Sequence, residues 1–212
     1  MTIKSEIICV CETHHMKNDV IQLAEYKWYG HNRSEKHINA PKGSGGVGIF
    51  VHKKLHECFS VSIIDRSVDG ILGISLNCKY HAFKMIVYVC YLSPVMSAWG
   101  RDPEGYFAHL TACIYEMNDV DQLVLCGDFN ARLGTNHDVI ASVDEIQNRI
   151  TIDHTKSGHC DAFLDFVKDA RLCILNGRIS PENDNFTCVI LSAIGCRFNS
   201  AKQFILSVIF TL

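Results

Sequence analysis

Four consecutive apolar residues, Leu123–Cys126, run directly into Gly127-Asp128-Phe129-Asn130. An apolar run this short, bounded by turn residues, reads as a strand buried on both faces. Such a strand belongs inside a layered domain, and its carboxyl end opens on a crevice. Gly127 permits an unusual backbone there. Asp128 and Asn130 are two apart, so they point the same way as far as the strand persists. A carboxylate beside a carboxamide can orient water and a phosphate oxygen, or hold a hard cation. The same residues are also those expected at an ordinary strand-to-turn exit.

The rest of the chain supplies the layers. Glu6–Cys11 is a short apolar run ending at Glu12, and Lys42–Gly48 is a glycine-rich turn leading into a strand at Val47–His52. Phe59–Asp65, Gly70–Leu76 and Phe83–Leu92 read as an antiparallel meander, the last being rich in Ile, Val and Tyr. Asn18–Tyr26 predicts a short helix. Asp102-Pro103 predicts a capped helix start, followed by Tyr106, Phe107, Leu110, Cys113, Ile114 and Met117 at helical spacing. A second amphipathic helix is expected over Cys160–Leu172, then strands at Cys173–Leu175 and Phe186–Ile190. Strand pairs mixed with strand–helix–strand units favour an α/β (α+β) layered sandwich.

Composition removes several classes of function. With 212 residues, 48% hydrophobic and 20% charged, the chain is neither disordered nor collagen-like. A net charge of −3 and a pI near 6.4 give no basic footprint, so nucleic-acid contact needs a local patch or a bound cation. Eleven cysteines, an odd number without any CxxC, read as reduced, buried thiols, with no disulfide-linked partner expected. A metal or redox protein built on the cysteines and histidines would need clustered spacing, which is absent; His14-His15 is poor zinc geometry. No signal peptide is visible. The longest apolar stretches, Ile86–Leu92 and Phe204–Leu212, fall short of a membrane span. The expected location is intracellular, nucleus or cytoplasm, with no membrane partner.

Two further strand ends carry polar groups. Glu12 is a carboxylate at a strand terminus, of the kind that holds Mg²⁺ with waters and a substrate phosphate, or simply caps a turn. Tyr91 lies where the strongest strand breaks at Ser93-Pro94; its phenol can donate to a phosphate oxygen, or sit at a core rim.

The series EIICVCETH, GSGGVGIFVHKKL, IVYVCYLSP, LVLCGDFNARLG and CILNGR…NFT resembles the endonuclease/exonuclease/phosphatase superfamily, from about Glu6 to about Thr187. Within it, the chain is most similar to the endonuclease domain that accompanies a reverse transcriptase in non-LTR retrotransposons, related to apurinic/apyrimidinic endonucleases. The resemblance implies a DNase I-like, four-layer sandwich of two mixed β-sheets flanked by helices. It implies a phosphodiester hydrolase acting on DNA with Mg²⁺ or Mn²⁺. By motif, Glu12 becomes the metal carboxylate, Tyr91 a contact to the scissile phosphate, Asp128 the group that orients or deprotonates water, and Asn130 a phosphate ligand or helper of Asp128. His52, Lys53, Lys54 and Arg132 become candidate contacts to the nucleic-acid backbone.

The chain also departs from that pattern. The superfamily begins with an Asn-bearing strand before the EIICVCETH segment and ends with an Asp-bearing strand and an Asp-His. Here Met1 stands eleven residues before Glu12; no Asp or Glu follows Asp184 and no His follows His159. The expectation is a domain over 1–190 lacking the first and last family strands, a divergent tail over 191–212, and impaired catalysis. The alternative is a non-catalytic remnant or interaction module of the same fold.

Overall fold

The computed structural model describes residues 5–34, 44–97, 100–139 and 146–178, together with the backbone of a strand at Phe204–Leu206. Two sheets form the framework. The smaller is antiparallel, in the order β1 (Ile7–Cys11), β3 (Val47–His52), β2 (Tyr26–His31). The larger is mixed, and begins as the expected antiparallel meander of β4 (Phe59–Asp65), β5 (Ile71–Cys78) and β6 (Lys84–Tyr91). It continues through β7 (Gln122–Asp128), β9 (Phe204–Leu206) and β8 (Leu172–Ile174), all parallel. Parallel β6 and β7 require a crossover, supplied by α2 (Pro103–Glu116); α3 (Cys160–Asp169) packs beside it, and α1 (Leu55–Cys58) is a single turn after β3.

Alternation along β6 shows why its sequence is apolar throughout. Ile86, Tyr88 and Cys90 face the helices, whereas Val87, Val89 and Tyr91 face the smaller sheet. The helix-side core joins these residues to Tyr106, Phe107, Leu110 and Ile114 of α2 and Phe163, Phe166 and Val167 of α3. The inter-sheet core joins them to Val47, Ile49 and Val51 of β3 and Leu72, Ile74 and Leu76 of β5. The cap of α2 is as the sequence predicts: an Asp102 carboxylate oxygen accepts from the Gly105 amide at 2.9 Å, with Pro103 at the first helical position. The result is the α+β, DNase I-like arrangement of two packed sheets with helices on the larger one.

Two expectations need correction or fall elsewhere. Asn18–Tyr26 is not a helix; residues 18–25 are turn and loop, and Tyr26 opens β2. Val20 is 63% exposed and Ile21 and Leu23 are only half-buried, so the residues predicted to form a helical face are not buried together. The loop is instead held by polar contacts: Asp19 accepts from the Met16 amide, and Asn32 donates to the carbonyls of Lys17 and Asp19. The expected strand at Phe186–Ile190 lies outside the described residues, as does the 191–212 segment apart from β9.

Cys9, Cys11, Cys58, Cys78, Cys90, Cys113, Cys126 and Cys160 are free thiols. Burial pushes the thiols of Cys11 and Cys90 up, and a hydrogen bond with Cys9, then burial, does the same for Cys126, so they act as small hydrophobes. No helix among the described residues is long and apolar enough to cross a membrane.

Candidate active site

The ends of β1, β6 and β7 converge. β6 and β7 run parallel in a register that sets Tyr91 beside Asp128. Tyr91 projects into the inter-sheet core, where β1 packs, and its hydroxyl donates to Glu12 Oε1 at 2.5 Å. The structure therefore brings together Glu12, Tyr91, Asp128 and Asn130, four residues drawn from 119 positions of sequence.

Each side chain is held by its neighbours. Glu12 has left-handed backbone (φ 52), outside the β1–β3 ladder, and the chain beyond it is tied to the glycine-rich turn by the amides of Thr13 and His14 donating to the carbonyls of Gly46 and Gly45. A Cβ at Gly46 would lie 2.5 Å from Thr13 Oγ1, so that turn must stay bare to pass under the Glu12 segment. Phe129 is anchored in the helix-side core, its ring 4.8 Å from that of Phe163. That anchor leaves Asp128 and Asn130 on the open side. The strand does not persist as far as Asn130. Asn130 turns left-handed (φ 46), its amide donates to Asp128 Oδ1 at 2.8 Å, and its Nδ2 donates to the Leu92 carbonyl at 2.8 Å. Left-handed backbone is uncommon in residues other than glycine and concentrates at functional sites.

Electrostatics mark the same place. Burial, then the nearby Glu12 charge, raises the Asp128 carboxyl above the ordinary aspartate range, against the amide of Asn130. Burial and the Glu12 carboxylate push the Tyr91 phenol well up, so it remains a hydrogen-bond donor at neutral pH. A cleft of about 620 Å³ opens beside this cluster, with Asp128, Asn130, Arg132, Arg149, Asp153 and Met96 among its walls.

Of the candidate basic contacts, Arg132 lines that cleft, paired with Asp153 at 2.9 Å. His52, Lys53 and Lys54 do not approach it. Antiparallel register sets Cys11 against Val47 and Ile7 against Val51, so His52–Lys54 lie at the far end of the small sheet, about 16 Å of strand from Glu12.

Two residues without a marked place in the sequence, Arg33 and His159, support the cluster. Arg33, 6% exposed, bonds Asp69, Ser44 Oγ (3.0 Å) and Ser93 Oγ (3.1 Å), joining the glycine-rich turn to the loop after β6. His159, 1% exposed, hydrogen-bonds the Ser93 carbonyl through Nε2 at 2.9 Å, while its Nδ1 has no partner among the described residues. Their only sequence signal is negative: isolated polar residues beside apolar elements. Arg33→Met is expected to lower stability by about 2–4 kcal/mol in urea unfolding, because it strands Asp69 and Ser93; a change under about 0.5 kcal/mol would show that the network does not brace the fold.

One group of ligand atoms lies apart from the cluster. Asp65, His109 and Cys113 place an oxygen, a nitrogen and a sulfur within 4.8 Å of one another, on the helix side of the large sheet. The sequence signal was the His-x-x-x-Cys spacing on α2, which puts both residues on one helical face.

The family model described as Endonuclease/Exonuclease/phosphatase family matches residues 2–170. Among solved structures, the catalytic domain of human Nocturnin with bound sulfate anion is similar to this chain at 19% identity and a TM-score of 0.43. The similarity covers 60% of this chain and 52% of that one, so the chain matches about half the length of that domain. No curated protein matches. Since the match takes in every described strand and helix from β1 to α3, the chain belongs to the Endonuclease/Exonuclease/phosphatase family.

Proposed function

We propose that this chain hydrolyses phosphodiester bonds in DNA with a divalent cation, Mg²⁺ or Mn²⁺, in the manner of the non-LTR retrotransposon endonucleases it resembles. The observation that carries the reading is the Tyr91–Glu12 hydrogen bond, made where the end of β7 delivers Asp128 to the same crevice. Hard oxygen donors suit a hard cation. Burial and then repulsion from Glu12 raise the Asp128 carboxyl, and a cation held at Glu12 would relieve the repulsion. Glu12 would hold it, with Asp128 near, and the chemistry it would supply is neutralisation of charge developing on the phosphate.

The protein's own residues do the rest. Tyr91, kept protonated, holds Glu12 in place with its one phenolic hydrogen, which it must redirect to contact a phosphate. Asp128, fixed through Oδ1 by the Asn130 amide, keeps its other oxygen to orient water and accept its proton. Asn130, pinned to Leu92, fixes the angle at which Asp128 leaves its strand. Arg132 on the cleft wall is placed for a flanking phosphate.

The test is nicking of supercoiled plasmid by folded protein. Nicking is expected with Mg²⁺ or Mn²⁺, none with EDTA, and a fall of about 10²-fold or more in Glu12→Gln. A folded protein that leaves the plasmid intact with either cation would overturn the reading and favour a non-catalytic interaction module of the same fold.

A further inference from the structure

We propose that Asp65, His109 and Cys113 form a binding site for a borderline-soft divalent transition metal, zinc by its ligand set, separate from the crevice at Glu12. The site lies on the other face of the large sheet. Asp65 is in register with Gly73, and Gly73 with Tyr88, a residue of the helix-side core, whereas Glu12 bonds Tyr91, which faces the smaller sheet.

Geometry is the main argument. A tetrahedral zinc with bonds of 2.0–2.3 Å needs ligand atoms about 3.3–3.8 Å apart. Here Cys113 Sγ is 3.6 Å from Asp65 Oδ2 and 3.5 Å from His109 Nε2. Asp65 Oδ2 and His109 Nε2 stand at 2.9 Å, a hydrogen bond that must open by a few tenths of an ångström. The three atoms thus already outline one face of a tetrahedron. His109 and Cys113, one turn apart on α2, supply two ligands from a rigid element, and the end of β4 supplies the third.

The surroundings fit the same occupant. Asp65 Oδ1 is engaged by Ser67, through its amide at 3.0 Å and its hydroxyl at 2.7 Å, which leaves Oδ2 aimed at the histidine and the thiol. Ser67 Oγ is also 3.3 Å from His109 Nε2, and Ser67 is exposed, so the fourth position is open to water. Nitrogen, oxygen and thiolate together suit zinc, and the thiolate disfavours Mg²⁺. Binding releases the Cys113 proton and joins the edge strand β4 to α2.

Cobalt(II) replacing zinc reports on this directly. Reduced, metal-free full-length protein is expected to take up one equivalent of Co²⁺ with a thiolate-to-cobalt charge-transfer band, which added Zn²⁺ bleaches. Cys113→Ser is expected to lose that band, and His109→Gln to weaken binding at least about tenfold. A second measurement needs no variant: Zn²⁺ should slow iodoacetamide labelling of Cys113, read by peptide mass spectrometry against exposed Cys58. A band that persists in Cys113→Ser, no uptake of Co²⁺, or labelling of Cys113 indifferent to Zn²⁺ would overturn the proposal. These readouts are independent of plasmid nicking, so either site can fail alone.

Discussion

Asp128→Asn is expected to abolish nicking and to raise the melting temperature of the metal-free protein. The loss follows from chemistry: a carboxamide cannot accept the proton of an attacking water, and general-base contributions run to about 10²–10⁴-fold. The stability gain follows from burial. Asp128 is half-buried beside Glu12, and its carboxyl is raised for those two reasons in that order. Its charge therefore costs the folded state at neutral pH. Asparagine keeps an acceptor for the Asn130 amide and removes the charge. A gain of about 1 kcal/mol would read as roughly 2–4 °C in a chain of this size.

The sign can be checked by pH. A carboxyl raised on folding is a penalty that is fully present above its folded pKa and is relieved as pH falls through that value toward the unfolded one. The advantage of Asp128→Asn should therefore be largest near pH 7 and shrink in acid. Saturating Mg²⁺ should reverse the order, because the cation stabilises the parent more than the variant. A variant that melts below the parent at pH 7 without metal would show that Asp128 serves the fold, not the reaction.

How much of this was legible beforehand differs from element to element. Strands β1, β3, β4, β5, β6 and β7 and helices α2 and α3 follow from apolar runs, turn residues and one good cap, because burial on one or both faces writes itself into the sequence. Strand β2 was missed: Tyr26–His31 alternates weakly, with Lys27 exposed and Gly30 inside it, and it is defined by pairing to β3. In the same region, propensity suggested a helix whose three apolar residues are not buried together. The four residues at the crevice were legible because each lies at or just past the marked end of a strand. Arg33 and His159 were not, since a buried bracing residue is known by what it touches, and Ser93 lies 60 and 66 positions from them. The Asp65–His109–Cys113 group fails the search for closely spaced cysteines for a similar reason, as 44 residues separate its first two members.

Gly127→Ala is expected to cost about 3 kcal/mol or more, the largest loss from the smallest change, and to take the crevice with it. Two penalties coincide there. Gly127 has φ 139, which L side chains rarely adopt, and a Cβ would stand 1.8 Å from the Cys90 carbonyl oxygen and 2.7 Å from its carbon. Those atoms are the backbone of β6, which cannot step aside as a flexible side chain can. Since Cys90 is paired with Gly127 and Tyr91 with Asp128, forcing the strands apart at that point also parts the phenol that holds Glu12 from the carboxylate at the end of β7. Gly134→Ala is the control. It is also left-handed (φ 55), but its nearest neighbour, the His154 carbonyl oxygen, would be 2.9 Å from the new methyl, so a smaller loss is expected. Urea midpoints of the two variants separate conformational strain, present in both, from the collision, which is slight at Gly134 and severe at Gly127. Equal losses would mean that the close approach of β6 contributes nothing. A markedly greater loss for Gly127→Ala would make this glycine the residue that lets two strands close enough to build one site.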